Sequence, residues 1–345
     1  MKSLLNFFSL FFLFVLFSCD SESHMEEAEV SDVLLLDSAE VIYEYADKYP
    51  VSLAKQDSLL YVINIKSDTC MSIINLNTKD ELCSFGSVGH GDKDLLNPNF
   101  ILSVDDDRLL LDVGNLRRIV DVDYRGKDSI MMNDLEYPDL IFLASELNMS
   151  DKYIVGRKID AYDDNMFFIY IKDENRIHPV PCFPELHYSI KDYNHTYASV
   201  LALNEEKGRI VSGMYFFDMY HLYDLSGNRL KTIRFSDECY PHIDKKSGRI
   251  DFSKGYKGVI RAYTTPNSCY LLRMIYNNVK EAPQYMLIQM NWEGEVQKCF
   301  MFKDNVSGQF CVDEVNDKVY IIENHIDDDG EEIFSVMAYK LKRRE

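Results

Sequence analysis

Four stretches of this chain carry the residue types that chemistry needs, and in each the spacing favours turn formation. Phe85-Gly86-Ser87-Val88-Gly89-His90-Gly91 is glycine-rich enough to suggest a phosphate cradle. It lacks the G-x-x-x-x-G-K-[ST] order, has no lysine at the diagnostic place and is followed by no helical periodicity, so it reads as a turn needing positive φ. Asp105-Asp106-Asp107 and Asp327-Asp328-Asp329-Gly330-Glu331-Glu332 are dense in oxygen ligands of the kind calcium takes, but the spacing of an EF-hand loop and its distal glutamate are missing. Both runs read as hairpin turns. His178, His187 and His195 fall in one region beside Cys182, a conceivable metal site, although ordinary loop histidines explain them more simply. No H-E-x-x-H and no His-Cys grouping at zinc spacing occurs, and no G-x-S-x-G elbow marks a serine hydrolase. The sequence therefore assigns no catalytic residue, no metal ligand and no cofactor.

Aromatic residues offer a different chemistry. The chain has 23 tyrosines and 20 phenylalanines, clustered at Tyr215-Phe216-Phe217-Asp218-Met219-Tyr220 and at His187, Tyr188, Tyr193 and Tyr197. Core packing accounts for most of them. A few surplus tyrosines on one rim would make a sugar- or peptide-binding surface, because tyrosine presents a rigid face with a polar tip.

The elements that must position these residues are strands. From residue 33 onward, runs rich in Val, Ile, Tyr and Phe alternate with Asn, Asp and Gly clusters. Val120, Val122 and Tyr124 share one face, with Asp121 and Asp123 on the other; Met286, Ile288, Met290 and Trp292 alternate in the same way. A short helical insert is expected within Glu185–Glu206. One hairpin recurs, with turns at Ile74–Lys79, Val122–Lys127, Tyr170–Asn175, Tyr223–Asn228 and Gln289–Gly294. The turns are spaced by about 48 residues, then by about 53 and about 67, and a second strand pair precedes each, which is the pattern of propeller blades. Six units begin near Val51, Phe100, Ile141, Tyr197, Ile260 and Gln309. The sixth lacks an outer strand, and either Val33–Leu36 or Val41–Tyr45 is expected to supply it and close the ring. The fold expected is all-β, a six-bladed β-propeller closed by an N-terminal strand. A two-sheet sandwich or two smaller β domains is the alternative.

The start of the chain has another character. Lys2 leads into an apolar run from Leu4 to Phe17, about 14 residues and short of the ~20 that a spanning helix needs. Leu16-Phe17-Ser18-Cys19 resembles the lipobox of bacterial lipoproteins, with Phe17 bulkier than is usual at its place. That resemblance implies a signal peptide over 1–18, lipid attachment and hence a membrane anchor at Cys19, and an outer-membrane address, periplasmic or surface-exposed. Residues 20–32 are polar and acidic and read as a tether, leaving 33–345 as the propeller. A net charge of −20 repels phosphate backbones, so nucleic acid is not an expected partner. Apart from Cys19 the cysteines are odd in number, contain no C-x-x-C pair and sit among apolar residues, which points to buried free thiols. Asp37-Ser38-Ala39, Asp57-Ser58-Leu59 and Asp128-Ser129-Ile130 match a short O-glycosylation consensus of some anaerobic bacteria, a pattern that chance also produces.

Phe85-Gly86-Ser87-Val88-Gly89-His90-Gly91, followed by Leu95-Leu96-Asn97-Pro98, resembles the F-G-x-x-G-x-G…P connection of bacterial six-bladed, TolB-like propeller lipoproteins. Asp92 stands where that family often has a proline. The resemblance implies the fold and a place between the first two blades, but no catalytic residue. The function expected is a lipid-anchored binding or assembly module of the cell envelope, taking a protein, peptide or glycan. The alternative is a metal-assisted hydrolase or lyase, with carboxylate, amide or imidazole side chains converging in the central channel from blade strands such as Tyr215–Asp218.

Overall fold

Six four-stranded antiparallel sheets stand around a common axis, forming a six-bladed β-propeller. The computed structural model describes residues 25–342 except 31, 92–93, 104–107, 125, 127–128, 159–164, 182–189, 191–192, 279–280, 304–305, 327–329 and 331. The signal segment 1–18, Cys19, Asp105–Asp107, Cys182, His187, Tyr188, Asp327–Asp329 and Glu331 lie outside the described residues.

Each blade runs outward from the axis in chain order. Blade 1 comprises Tyr49–Gln56, Leu59–Ile65, Thr69–Asn75 and Glu81–Ser87. The innermost strands of blades 2 to 6 are Asn99–Ile101, Ala144–Met149, Ser199–Asn204, Tyr256–Thr264 and Val306–Asp313. The unit starts read from the sequence therefore fall within a few residues of real blades. Among the described residues of the expected helical insert, one turn appears at Tyr193–Thr196, and from Ser199 the chain is the inner strand of blade 4.

The recurring hairpin has a local chemical cause. In blade 1, Asn75 Oδ1 accepts from the backbone N–H groups of Asn77 and Thr78. In blade 4 Asp224 Oδ1 does so from Ser226 and Asn228, and in blade 5 Asn291 Oδ1 from Glu293 and Glu295. A short acceptor side chain satisfies its own turn, and a residue at positive φ then reverses the chain: Lys79, Gly227 and Gly294 in turn, with Asn175 at the matching place in blade 3.

Blades stack face to face, so their middle strands are buried on both sides. Leu60, Tyr61, Val62 and Ile63 are all within 1% of full burial, which explains why the middle strands read as unbroken apolar runs. Outer strands face solvent on one side: Ile130–Leu135 alternates half-buried with exposed positions. Hydrophobic clusters fill the seams between blades, the largest joining blades 5, 6 and 1. Cys70, Cys269, Cys299 and Cys311 are buried free thiols, as their apolar settings suggest; Cys239 is also buried and Cys83 half-buried. Burial pushes the Cys299 thiol up to about 11.

Ring closure comes from the second of the two candidate segments. Ala39–Tyr45 pairs antiparallel with Glu332–Lys340 and completes blade 6. At the seam, Tyr43 Oη donates to Glu81 Oε2 of blade 1 at 3.0 Å, and Lys48 Nζ reaches both Glu81 Oε1 and Ser84 Oγ at 3.0 Å. Leu34–Leu36 instead adds a fifth, parallel strand to blade 5 opposite Phe300–Phe302.

The stretch read as a tether is also partly ordered. Met25–Glu27 lies parallel to Thr232–Arg234 on the rim of blade 4, with Glu26 3.3 Å from Lys231 and Glu27 3.6 Å from Arg234. An outer strand offers unpaired N–H and C=O groups, and here the basic ladder selects an acidic segment. Such exposed pairs contribute about 0.2–1 kcal/mol each, so they set register more than they add stability. The N-terminal segment thus runs along blades 4, 5 and 6 in succession.

Candidate functional site

The Gly86–Gly91 turn has the role expected of it. It links blades 1 and 2, and Gly86 adopts φ +76° with space for a Cβ already taken by Leu95. Its concave side holds a carboxylate: Asp94 Oδ2 accepts from the Gly91 N–H at 2.8 Å and sits where a Cβ on Gly89 would fall. An anion has no room there.

Of the candidate histidines, His178 and His195 are described, and they stand on different elements. His178 stands on the outer strand of blade 3, and His195, on the one-turn helix, packs its ring against Phe216 at 5.1 Å. Among the described residues, no three His, Cys, Asp or Glu side chains come together as metal ligands. Described members of the aromatic clusters are core: Tyr197 stacks on Phe217 at 5.3 Å, and Phe217, Met219 and Tyr220 are within 1% of full burial. Tyr215–Asp218 is the turn between the second and third strands of blade 4, not the blade strand that the enzyme alternative supposes. Asp218 is committed to a buried pair with Arg273 of blade 5, at 2.6 Å from both Oδ1 to Nε and Oδ2 to Nη2.

The site that the fold builds lies elsewhere. A cavity of about 830 Å3 occupies the mouth of the central channel. Its walls are the inner strands of blades 1, 2, 3, 5 and 6, Asp112 on the second strand of blade 2 with the turn Gly114–Asn115 that follows it, and the connections between blades 1 and 2 and between blades 2 and 3. Apolar surface comes from Leu53, Phe100, Phe142, Leu143 and Phe310, and polar groups from Asn97, Asn99, Asp112, Glu146, Asn148 and Arg261.

Two irregularities aim these polar groups. The inner strand of blade 3 bulges between Ser145 and Asn148, and Glu146 takes φ +54° within the bulge. A left-handed non-glycine residue costs about 1 kcal/mol or more, and bulges re-aim side chains. Glu146 Oε2 then meets Arg261 Nη1 of blade 5 at 3.7 Å. Burial raises the Glu146 carboxyl, and the positive charges of Arg261 and then Arg157 oppose that rise. Burial, followed by the charge of Glu146, pushes the nearby Tyr215 hydroxyl up to about 12. Arg157 itself donates through Nη2 to the Asn194 carbonyl at 2.7 Å.

On the blade 2 side, Asp112 stands beside Gly114 with its Oδ1 buried and accepting no hydrogen bond. Burial pushes its carboxyl up to about 7 from an ordinary 3.8. The native state therefore keeps a proton that the unfolded chain loses above pH 4, and stability falls as pH rises from about 4 to about 7. Asp112→Asn removes that charge without changing shape. The variant should melt about 2–6 °C above the parent at pH 8 and with it at pH 3.5, in thermal scans across that range.

Residues 112, 146, 148 and 261 escape sequence reading because single positions on separate blades meet only when the ring closes. The one local signal is polarity at Glu146 and Asn148 within an inner strand.

No protein-family model matches the sequence, and no curated protein matches it. Solved structures do. A member of the DUF4221 family from Bacteroides vulgatus is 15% identical, with a TM-score of 0.59 over 88% of this chain and 95% of that one. A catalytically inactive virginiamycin B lyase from Staphylococcus aureus, solved with quinupristin, is 10% identical, with a TM-score of 0.44 over 88% and 89% of the two chains. A calcium-binding regucalcin from Agrobacterium tumefaciens is 10% identical, with a TM-score of 0.40 over 91% and 98%. At these identities the likeness is one of fold. This chain is a six-bladed β-propeller, similar in fold to the Bacteroides DUF4221 protein.

Proposed function

We propose that this protein is a lipid-anchored binding module of the bacterial cell envelope, taking its partner at the channel mouth between the blade connections. The observation that carries this reading is the 830 Å3 cavity, whose polar and apolar lining residues converge from five blades. Cavities of this size, mostly apolar with a few placed polar groups, are where proteins take ligands. The lipobox-like Leu16–Cys19 supports lipid attachment at Cys19 and an outer-membrane address, and the glycine-rich connection at Phe85–Gly91 supports kinship with TolB-like propeller lipoproteins. The partner class is a protein, peptide or glycan.

Leu143 provides the test, being 49% exposed at the rim of the cavity and therefore replaceable without disturbing the core. Leu143→Arg should fold like the parent and lose about tenfold or more of its capture of partners from native membranes, measured as recovery against the parent bait. Equal recovery by the two baits would remove the channel from the account.

A further inference from the structure

The lining of the channel mouth is unbalanced in its hydrogen bonding. Asn148 is 2% exposed, and its Nδ2 donates to the Leu201 carbonyl at 3.1 Å and to the Glu146 carbonyl at 3.2 Å. Those two acceptors fix the orientation of the amide, since Oδ1 could not face them. Its Oδ1 is buried, lines the cavity region and accepts nothing. Asp112 Oδ1 is in the same condition on the neighbouring blade. Buried acceptors of this kind cost roughly 1–3 kcal/mol each when left unmade, so a donor brought by a ligand gains more here than on an open surface. The cation in the lining, Arg261, is turned to Glu146, and among the described residues no cation pairs with Asp112.

A sugar offers donors and acceptors in equal measure and brings no positive charge to draw the proton from Asp112. A cation with N–H donors answers both deficits, and the chain's net charge of −20 attracts it. Leu53, Phe100 and Phe142 supply apolar wall for whatever carries that cation.

We infer that the channel mouth binds a primary ammonium group borne on an apolar stem, with Asp112 as its counter-ion and Asn148 Oδ1 as a second acceptor. This rests on the channel mouth being the binding site. A peptide presents such a group at its amino terminus or on a lysine side chain. In the empty site Asp112 holds a proton near neutral pH, so ammonium binding releases it. Asn99 and Ile119 face Asp112 from the adjoining strands, and Glu146 and Arg261 are the other charges of the lining.

The test is calorimetric titration of the full chain with phenethylammonium and with its neutral counterpart 2-phenylethanol. The ammonium should bind about tenfold or more tightly than the alcohol, and Asp112→Asn should remove that difference. Between pH 6 and 8 its affinity for the parent should rise about tenfold as Asp112 ionises. Paired buffers at pH 6.5 should report release of roughly three quarters of a proton, a readout that needs no variant. Phenylalanine amide and N-acetyl-lysine amide, compared at that pH, distinguish amino terminus from side chain. Equal binding of ammonium and alcohol, no ammonium binding, or binding of maltose in its place would overturn the inference. If Leu143→Arg still abolishes partner capture in that case, the channel reading stands and only the amine assignment falls.

Discussion

Asp218→Ala should destabilise the protein by about 3–5 kcal/mol in urea unfolding, a larger loss than any surface substitution would give. Asp218 is 1% exposed and Arg273 7% exposed, and the pair spans two blades with both guanidinium contacts at 2.6 Å. Ser236 Oγ adds a third contact to the carboxylate at 2.6 Å, and the guanidinium lies 5.2 Å from the Phe235 ring. Removing the carboxylate leaves a buried cation with no charge partner on an aromatic face. The cost comes from that stranded charge more than from the lost attraction, so Asp218→Ala combined with Arg273→Met should recover much of the loss. A single variant within 1 kcal/mol of the parent would mean the pair does not pin blades 4 and 5 together.

The second large effect concerns closure of the ring. A chain lacking residues 25–45 loses the outer strand of blade 6 and the added strands on blades 4 and 5. Glu332–Lys340 then becomes a nine-residue open edge, and long bare edges pair with other chains. The expected product aggregates on size-exclusion chromatography and has no cooperative melt. A peptide spanning residues 37–47, added during refolding, should restore monomer. A truncated chain that stays monomeric and melts with the parent would show that the N-terminal segment is decoration.

These two features differ in how far the sequence reveals them. The blades are legible because their turns are local: an Asn or Asp acceptor and a left-handed residue lie within a few positions of each other, repeated along the chain. Closure is half legible, because a unit with a missing strand asks for one, yet nothing local separates Val33–Leu36 from Val41–Tyr45. The choice depends on which edge each segment reaches, and the docking of Met25 opposite Thr232 spans the greater part of the chain. The Asp218–Arg273 pair was invisible for the same reason, with Asp218 sitting in an aromatic cluster that pattern alone assigns to core.

The site follows the same rule more severely. Runs of acid and glycine draw attention in sequence because neighbours reinforce one another, and here the glycine run serves as a connection whose concavity Asp94 fills. The groups that matter at the channel mouth are isolated residues on different blades, each unremarkable beside its neighbours. Their significance comes from burial and from what they lack: Asp112 Oδ1 and Asn148 Oδ1 have no donors.

The most direct test of the account is hydrogen–deuterium exchange of the protein alone and with its captured partner. Binding at the channel mouth predicts slowed exchange at residues 97–102 and 142–148, the described connections and inner strands that line the cavity, with the rim of blades 4 and 5 unchanged. Protection confined to outer strands such as Ile130–Leu135, with the channel-lining segments unaffected, would contradict it.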